Sequence, residues 1–303
     1  MKNILQKIKS FINGKYLSNT LRQQLIYDIR NDWMINKALN CKDNGITDKK
    51  LCDYEIIVSV TTYGKRLYDV ASTIESIMQG SMKPNHIILW LGEDMKDIIL
   101  PIALKNQQNR GLEIAYCKDI RSYTKLVPSL RRFPEATIIT IDDDLIYSYD
   151  LVEKLVNMHK MHPQNIIANR MHRIKLGKNG KPLSYMNWEW LVNPTDISPL
   201  NFFTGVGGVP YPPHSLDSEV LNEEIFLDIC KYADDIWFNA MALKKGTNVL
   251  KCYTHNEQGE DYIINPFVQD IGLCNINTGR NGINDKQLKA VFERYDLWNK
   301  LQS

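Results

Sequence analysis

The chain has no C-x-x-C pair: its six cysteines, Cys41, Cys52, Cys117, Cys230, Cys252 and Cys274, are scattered along 303 residues. That spacing argues against a zinc site and against a disulfide scaffold. No apolar run approaches the length of a membrane span. No Asn-x-Ser/Thr acceptor occurs, and the first residues lack the apolar core of a signal peptide. A reducing, cytoplasmic compartment is therefore expected. An excess of one charge is missing too. The net charge of +2 points away from nucleic acid as a partner. Neither a Walker sequence nor a G-x-G-x-x-G fingerprint is present, and no internal repeat or low-complexity segment is found.

What is present is an ordinary globular composition, 44% apolar and 24% charged, long enough for one large α/β domain or two small ones. The most informative stretch runs from Ala136 through Thr137, Ile138, Ile139, Thr140 and Ile141 into Asp142, Asp143 and Asp144. The apolar, β-branched run reads as a buried strand. Its three carboxylates then sit at the C-terminal end, where open α/β sheets bind ligands. Asp142 and Asp144 are hard oxygen ligands, suited to Mg²⁺ or Mn²⁺ bridging substrate phosphates. The plain alternative is a solvated turn that caps the next helix.

Other elements follow from periodicity. Residues 1–50 form a basic, amphipathic, helical segment: Lys2, Lys7, Lys9, Lys15 and Arg22 all precede the first acid, Asp28. Ile4, Leu5, Ile8, Phe11 and Ile12 recur at helical spacing, and a second helix is expected from Leu21 to Leu39. Two fates compete for the first part. Residues 1–15 lie on an anionic membrane face as a peripheral contact, or they pack on the main domain or a partner helix. The main domain spans 51–255. Strands are expected at 56–62, 86–91, 112–116 and 136–141, with helices at about 67–79, 96–109 and 123–133. This alternation predicts a mostly parallel, doubly wound sheet flanked by helices. A further helix is expected at 149–161 and a strand at 165–168. Tyr185, Trp188 and Trp190 form an aromatic patch that reads as core in preference to a sugar-stacking platform.

Phe202 to Pro213 contains Gly205, Gly207 and Gly208, which permit positive φ and close approach to a ligand. The plain reading is a strand with a bulge and a proline-stiffened turn. Residues 222–232 read as helix. Asp234 and Asp235 open another that is stopped by Gly246, and acids at a helix start are favourable for the macrodipole alone. Residues 248–252 read as a late strand and are followed by His255. Residues 256–303 are expected to form a polar loop and a C-terminal helix packed on the domain.

Taken in order, Val58-Ser59-Val60-Thr61-Thr62-Tyr63, Ser122-Tyr123-Thr124-Lys125-Leu126, Ile141-Asp142-Asp143-Asp144, Gly205-Val206-Gly207-Gly208-Val209 and Ala233-Asp234-Asp235-Ile236-Trp237 resemble a GT-A glycosyltransferase. The closer likeness is to the bacterial family-2-like enzymes of surface-polysaccharide synthesis, such as capsule or lipopolysaccharide. It covers about residues 55–255. It implies a GT-A-like, Rossmann-like fold, a Mn²⁺ or Mg²⁺ cofactor, a nucleotide-sugar donor (a UDP-sugar foremost) and a saccharide or lipid-linked acceptor. The metal would be held by Asp142 and Asp144, with Asp142 or Asp143 also touching donor. Thr61, Thr62, Tyr63, Arg66 and Asp119 would hold base and ribose. Lys125 would meet a phosphate, and Gly207 and Gly208 would approach the donor sugar or acceptor. Asp235, or else Asp234, would be the general base of an inverting reaction. The family has Glu-Asp where this chain has Asp-Asp. His255 opens the alternative of a retaining enzyme with a histidine metal ligand; its plain reading is a surface histidine.

Three rivals remain. A haloacid-dehalogenase-type phosphohydrolase also uses Asp-x-Asp, but after its first strand, and here that strand ends in Thr61-Thr62. A noncatalytic nucleotide- or sugar-binding module and a scaffold protein are the others, and the latter leaves the acidic edge unexplained.

Overall fold

The computed structural model describes residues 2–253, 255, 261–269 and 282–302, with the backbone alone for 2–13 and 15–19. In chain order its strands are β1 (Ile56–Thr61), β2 (His86–Gly92), β3 (Leu112–Cys117), β4 (Thr137–Thr140), β5 (Leu145–Tyr147), β6 (Ile166–Ala168), β7 (Met171–Arg173), β8 (Asn201–Phe203), β9 (Val209–Tyr211), β10 (Val249–Lys251) and β11 (Tyr262–Ile264). Its helices are α1 (Lys2–Asn40), α2 (Val70–Met78), α3 (Ile102–Gln108), α4 (Val127–Arg132), α5 (Leu151–Met161), α6 (Glu223–Ile229), α7 (Asp234–Lys245) and α8 (Ile283–Arg294).

The central sheet has the order β3-β2-β1-β4-β9. Its first four strands are parallel and β9 is antiparallel to β4. This is the mostly parallel, helix-flanked sheet expected. Side chains alternate across it as a period of two requires. Ile56, Val58 and Val60 enter the core under α2, α3 and α5, whereas Ile57 enters the opposite core with α6, α7 and α8. Both faces are covered, which is why these strands read as unbroken apolar runs. Pro210 is tolerated in β9 because that strand is the sheet edge. Tyr185 and Trp188 are buried and Trp190 packs against them, so the aromatic patch is core.

Several elements differ from expectation. The two N-terminal helices are one: α1 runs unbroken for 39 residues. Neither Gly14 nor Ser18 interrupts it. A short strand, β5, follows the acidic triplet before α5 begins, and it pairs with β11 from the region expected to be loop. Of the rest of the expected loop over 256–284, residues 256–260 and 270–281 lie outside the described residues. Finally, the expected helix at 96–109 is shorter, because Pro101 sets its start at Ile102.

Candidate active site

The triplet leaves β4 at the C-terminal edge of the sheet, and each of its acids has a different partner. Asp143 is buried. It accepts from Thr62 Oγ1 at 2.6 Å and Arg66 Nη1 at 2.8 Å, and its carbonyl accepts from Thr73 Oγ1 at 3.1 Å. It therefore fastens the loop after β1 to the loop after β4. Burial raises its pKa against the pull of Arg66 and Thr62. Asp144 meets Arg66 Nη2 at 3.3 Å and accepts from Gln269 Nε2 at 2.9 Å. Burial and the neighbouring Asp142 charge push its carboxyl up to about 6. Asp142 accepts from Lys125 Nζ at 3.0 Å, and its backbone N–H donates to the Tyr147 hydroxyl at 2.9 Å.

Lys125 arrives from the turn after β3. Ser59 Oγ on β1 donates to its carbonyl at 2.6 Å, and the Tyr123 hydroxyl donates to Cys230 carbonyl at 2.6 Å, so the turn is tied to the segment that leads into α7. Asp119 accepts from Arg121 N–H at 2.7 Å, which holds Arg121 at a φ of 63° in a tight Asx-type turn. The Lys125 ammonium thus also reaches Asp234 Oδ2 at 3.4 Å. Burial works against its charge, but Asp142, Asp234 and Asp235 outweigh burial and hold its pKa well above the ordinary lysine value.

Asp234 and Asp235 start α7. Asn239, one turn on, anchors this start: its amide exchanges hydrogen bonds with Phe203 of β8 and donates to Asp235 carbonyl at 2.7 Å. Asp235 Oδ1 accepts from Gly205 N–H at 2.9 Å. Burial and Asp234 raise the Asp235 carboxyl to about 7 against Lys125 and that N–H. A Cβ on Gly205 would lie 2.8 Å from Lys125 Nζ and 3.2 Å from Asp235 Oδ1, so any larger residue there would displace the Lys125 ammonium. The antiparallel register, Thr140 opposite Val209, brings the Gly207-Gly208 turn to the same edge. Both have positive φ, 92° and 96°, and Gly207 carbonyl accepts from Asn169 Nδ2.

The structure therefore gathers Thr62, Arg66, Lys125, Asp142, Asp143, Asp144, Asp234 and Asp235 in one linked cluster. Thr61 bonds outward to Trp90 carbonyl at 3.0 Å, Tyr63 is exposed, and Asp119 stands at the end of β3. His255 is not brought to the triplet. Its ring Nδ1 is 2.9 Å from Asp261 and its Nε2 3.5 Å from Asp150, at the far end of the β5–β11 ribbon from Asp144. Two side chains in the cluster were missed from sequence. Tyr147 lies in an unrecognised strand, and Gln269 follows one, with no motif to mark it.

The cluster holds five carboxylates against two cations, Arg66 and Lys125, among the described residues. That imbalance, with hard oxygen donors at Asp142 and Asp144, suits a divalent cation. Among the described residues no three of His, Cys, Asp and Glu form a ready-made cage. A cation on Asp142 and Asp144 would take its other ligands from substrate phosphate and water, as Mg²⁺ commonly does.

No family model matches the chain, and no curated protein matches it. Solved structures similar to it include CMP:2-keto-3-deoxy-manno-octonic acid synthetase complexed with CTP, at 11% identity and a TM-score of 0.36, covering 65% of this chain and 88% of that one. Residues 1–349 of S. aureus TarS in complex with UDP match at 15% identity and a TM-score of 0.38, over 65% of this chain and 57% of that one. The inositol-1-phosphate CTP transferase from T. maritima matches at 8% identity and 0.36, over 66% and 86%. The fold rests on the strand order and register described above, and these likenesses add nothing to it.

Proposed function

We propose that the protein is a metal-dependent glycosyltransferase that moves a sugar from a nucleotide-sugar donor, a UDP-sugar foremost, to a saccharide or lipid-linked acceptor with inversion. The observation that carries this reading is Lys125, whose one ammonium joins the acid triplet after β4 to the acid pair at α7. A capping turn needs no such link, and a scaffold has no use for a charge cluster at the ligand-binding edge of a sheet.

Roles follow from environment. Asp234 is buried and engaged by Lys125, which suits a positioning acid. Asp235 is less buried and has a carboxyl near 7, which suits a general base at neutral pH. It takes the acceptor hydroxyl proton as the acceptor oxygen bonds the anomeric carbon. The bond from that carbon to the donor phosphate oxygen breaks, and the electron pair leaves on the nucleoside diphosphate. Lys125 and Arg66 supply fixed positive charge beside that leaving group. Asp142 and Asp144 would hold the Mn²⁺ or Mg²⁺, which supplies Lewis-acid neutralisation of the diphosphate. Thr61, Tyr63 and Asp119 would hold base and ribose, and Gly207 and Gly208 would approach the sugar or acceptor. Asp143 has a structural part, as the tie between two loops. The placement of His255 favours inversion over the retaining alternative.

The test is thermal stability against a panel of nucleotides, with and without Mn²⁺. A ligand that binds only the folded state raises the melting temperature by linkage. A rise with UDP and Mn²⁺ together supports the reading, another nucleotide changes the donor base, and no rise with any nucleotide removes it.

A further inference from the structure

We infer that the outer face of α1 is a docking surface for an anionic lipid bilayer. The inference stands apart from the catalytic reading. α1 is 39 residues long, about 58 Å at 1.5 Å per residue. It is held to the body by Tyr27, Met34 and Ala38, which are buried against α2, α3, β5 and neighbouring segments. The opposite side carries a row of apolar side chains, each four residues on from the last. Leu21, Leu25, Ile29 and Trp33 are 59%, 60%, 60% and 44% exposed, and Ile26 flanks them at 41%. Residues four apart on a helix form one ridge, and an exposed apolar ridge of this length marks an interaction site.

The helix also departs from the body. Residues 20–23 are all exposed, and nothing lies within 4 Å of a Cβ built on Gly14.

Charge favours a lipid surface over a parallel second copy. Lys2, Lys7, Lys9, Lys15 and Arg22 precede the first acid, so a second copy of α1 laid alongside with like ends together would repel its partner. An anionic headgroup layer attracts the same residues. Trp33 has Lys37 Nζ 5.7 Å and Arg30 Cζ 6.0 Å from its ring centroid. An indole with cations around it suits a membrane–water interface. No described helix is long and apolar enough to cross a membrane, so the contact is one of lying on the surface.

The experiment is co-sedimentation of the full chain with vesicles of phosphatidylcholine alone or mixed with phosphatidylglycerol, with no nucleotide added. Its result therefore does not depend on whether the protein is a transferase. Binding is expected on the anionic vesicles, and at least about tenfold weaker on neutral ones. The double variant Leu25→Glu/Ile29→Glu should lose about tenfold or more with an unchanged melting temperature, because both side chains are exposed. Lys7→Gln/Lys9→Gln should weaken binding to anionic vesicles only. Equal sedimentation with both vesicle types, none with either, or full binding by the Leu25/Ile29 variant would overturn the inference. So would a concentration-dependent dimer that the same variant dissolves, which would assign the face to a second copy.

Discussion

Lys125 and Asp142 form a largely buried ion pair, with Nζ 3.0 Å from Oδ1, and the same ammonium reaches Asp234 Oδ2 at 3.4 Å. One side chain thus balances acids from two motifs that are far apart in sequence. Replacing it with Met leaves two carboxylates without their cation. Lys125→Met is expected to cost on the order of 3 kcal/mol in denaturant unfolding, and less when Asp142→Asn is made alongside it, because one of the stranded charges is then gone. Equal loss in the single and double variants would mean that packing, not charge, is what Lys125 supplies.

Gly205 lies where Lys125 and Asp235 meet, and a methyl group there would stand 2.8 Å from Nζ. Gly205→Ala is expected to leave the fold in place and lower turnover by about tenfold or more, since a displacement of about 1 Å is costly at a reacting centre. Turnover within twofold of the parent would show that the contact is slack.

Asp235 should set the acid limb of the rate profile. Its carboxyl is raised to about 7, so the base form is lost below that pH. kcat/KM is expected to climb to a plateau with a midpoint near 7, and Asp235→Asn to remove about a hundredfold or more of the rate while nucleotide still binds. A flat profile between pH 5 and 8 would exclude it as the base.

The same raised pKa affects stability. An unfolded aspartate titrates near 3.9, so from about 4 to about 7 the folded state holds more protons at Asp235 than the unfolded state does. Stability from this group therefore falls as pH rises through that window. The metal-free protein should melt lower at pH 8 than at pH 5, and Asp235→Asn should flatten the slope. A parallel curve for the variant would place the pH dependence elsewhere.

Asp144 joins Arg66 and Gln269 yet remains in an acid-rich surround. Asp144→Ala is expected to abolish the Mn²⁺-dependent part of the nucleotide-induced melting shift, with the ligand-free melt changed little. An undiminished shift would sink the metal assignment.

How much of this was legible beforehand differs by element. The four parallel strands were readable because burial on both faces demands continuous β-branched runs, and that demand leaves its mark in local composition. The acid motifs were readable because their residue types are adjacent in the chain. β5 and β11 were not, since each is only three residues long. Strands that short carry no periodicity, and each is extended because the other pairs with it. Gln269 was invisible for the same reason, as nothing local announces a side chain whose role comes from a partner 125 positions away.

The paired acids show the division most clearly. Residue type and order alone determined that carboxylates would crowd the C-terminal edge of a mostly parallel sheet. Which acid is tied to a loop, which is neutralised by Lys125 and which is left near 7 was decided by tertiary structure. Burial and the direction of neighbouring charges set those states, and both depend on distances that chain order does not contain.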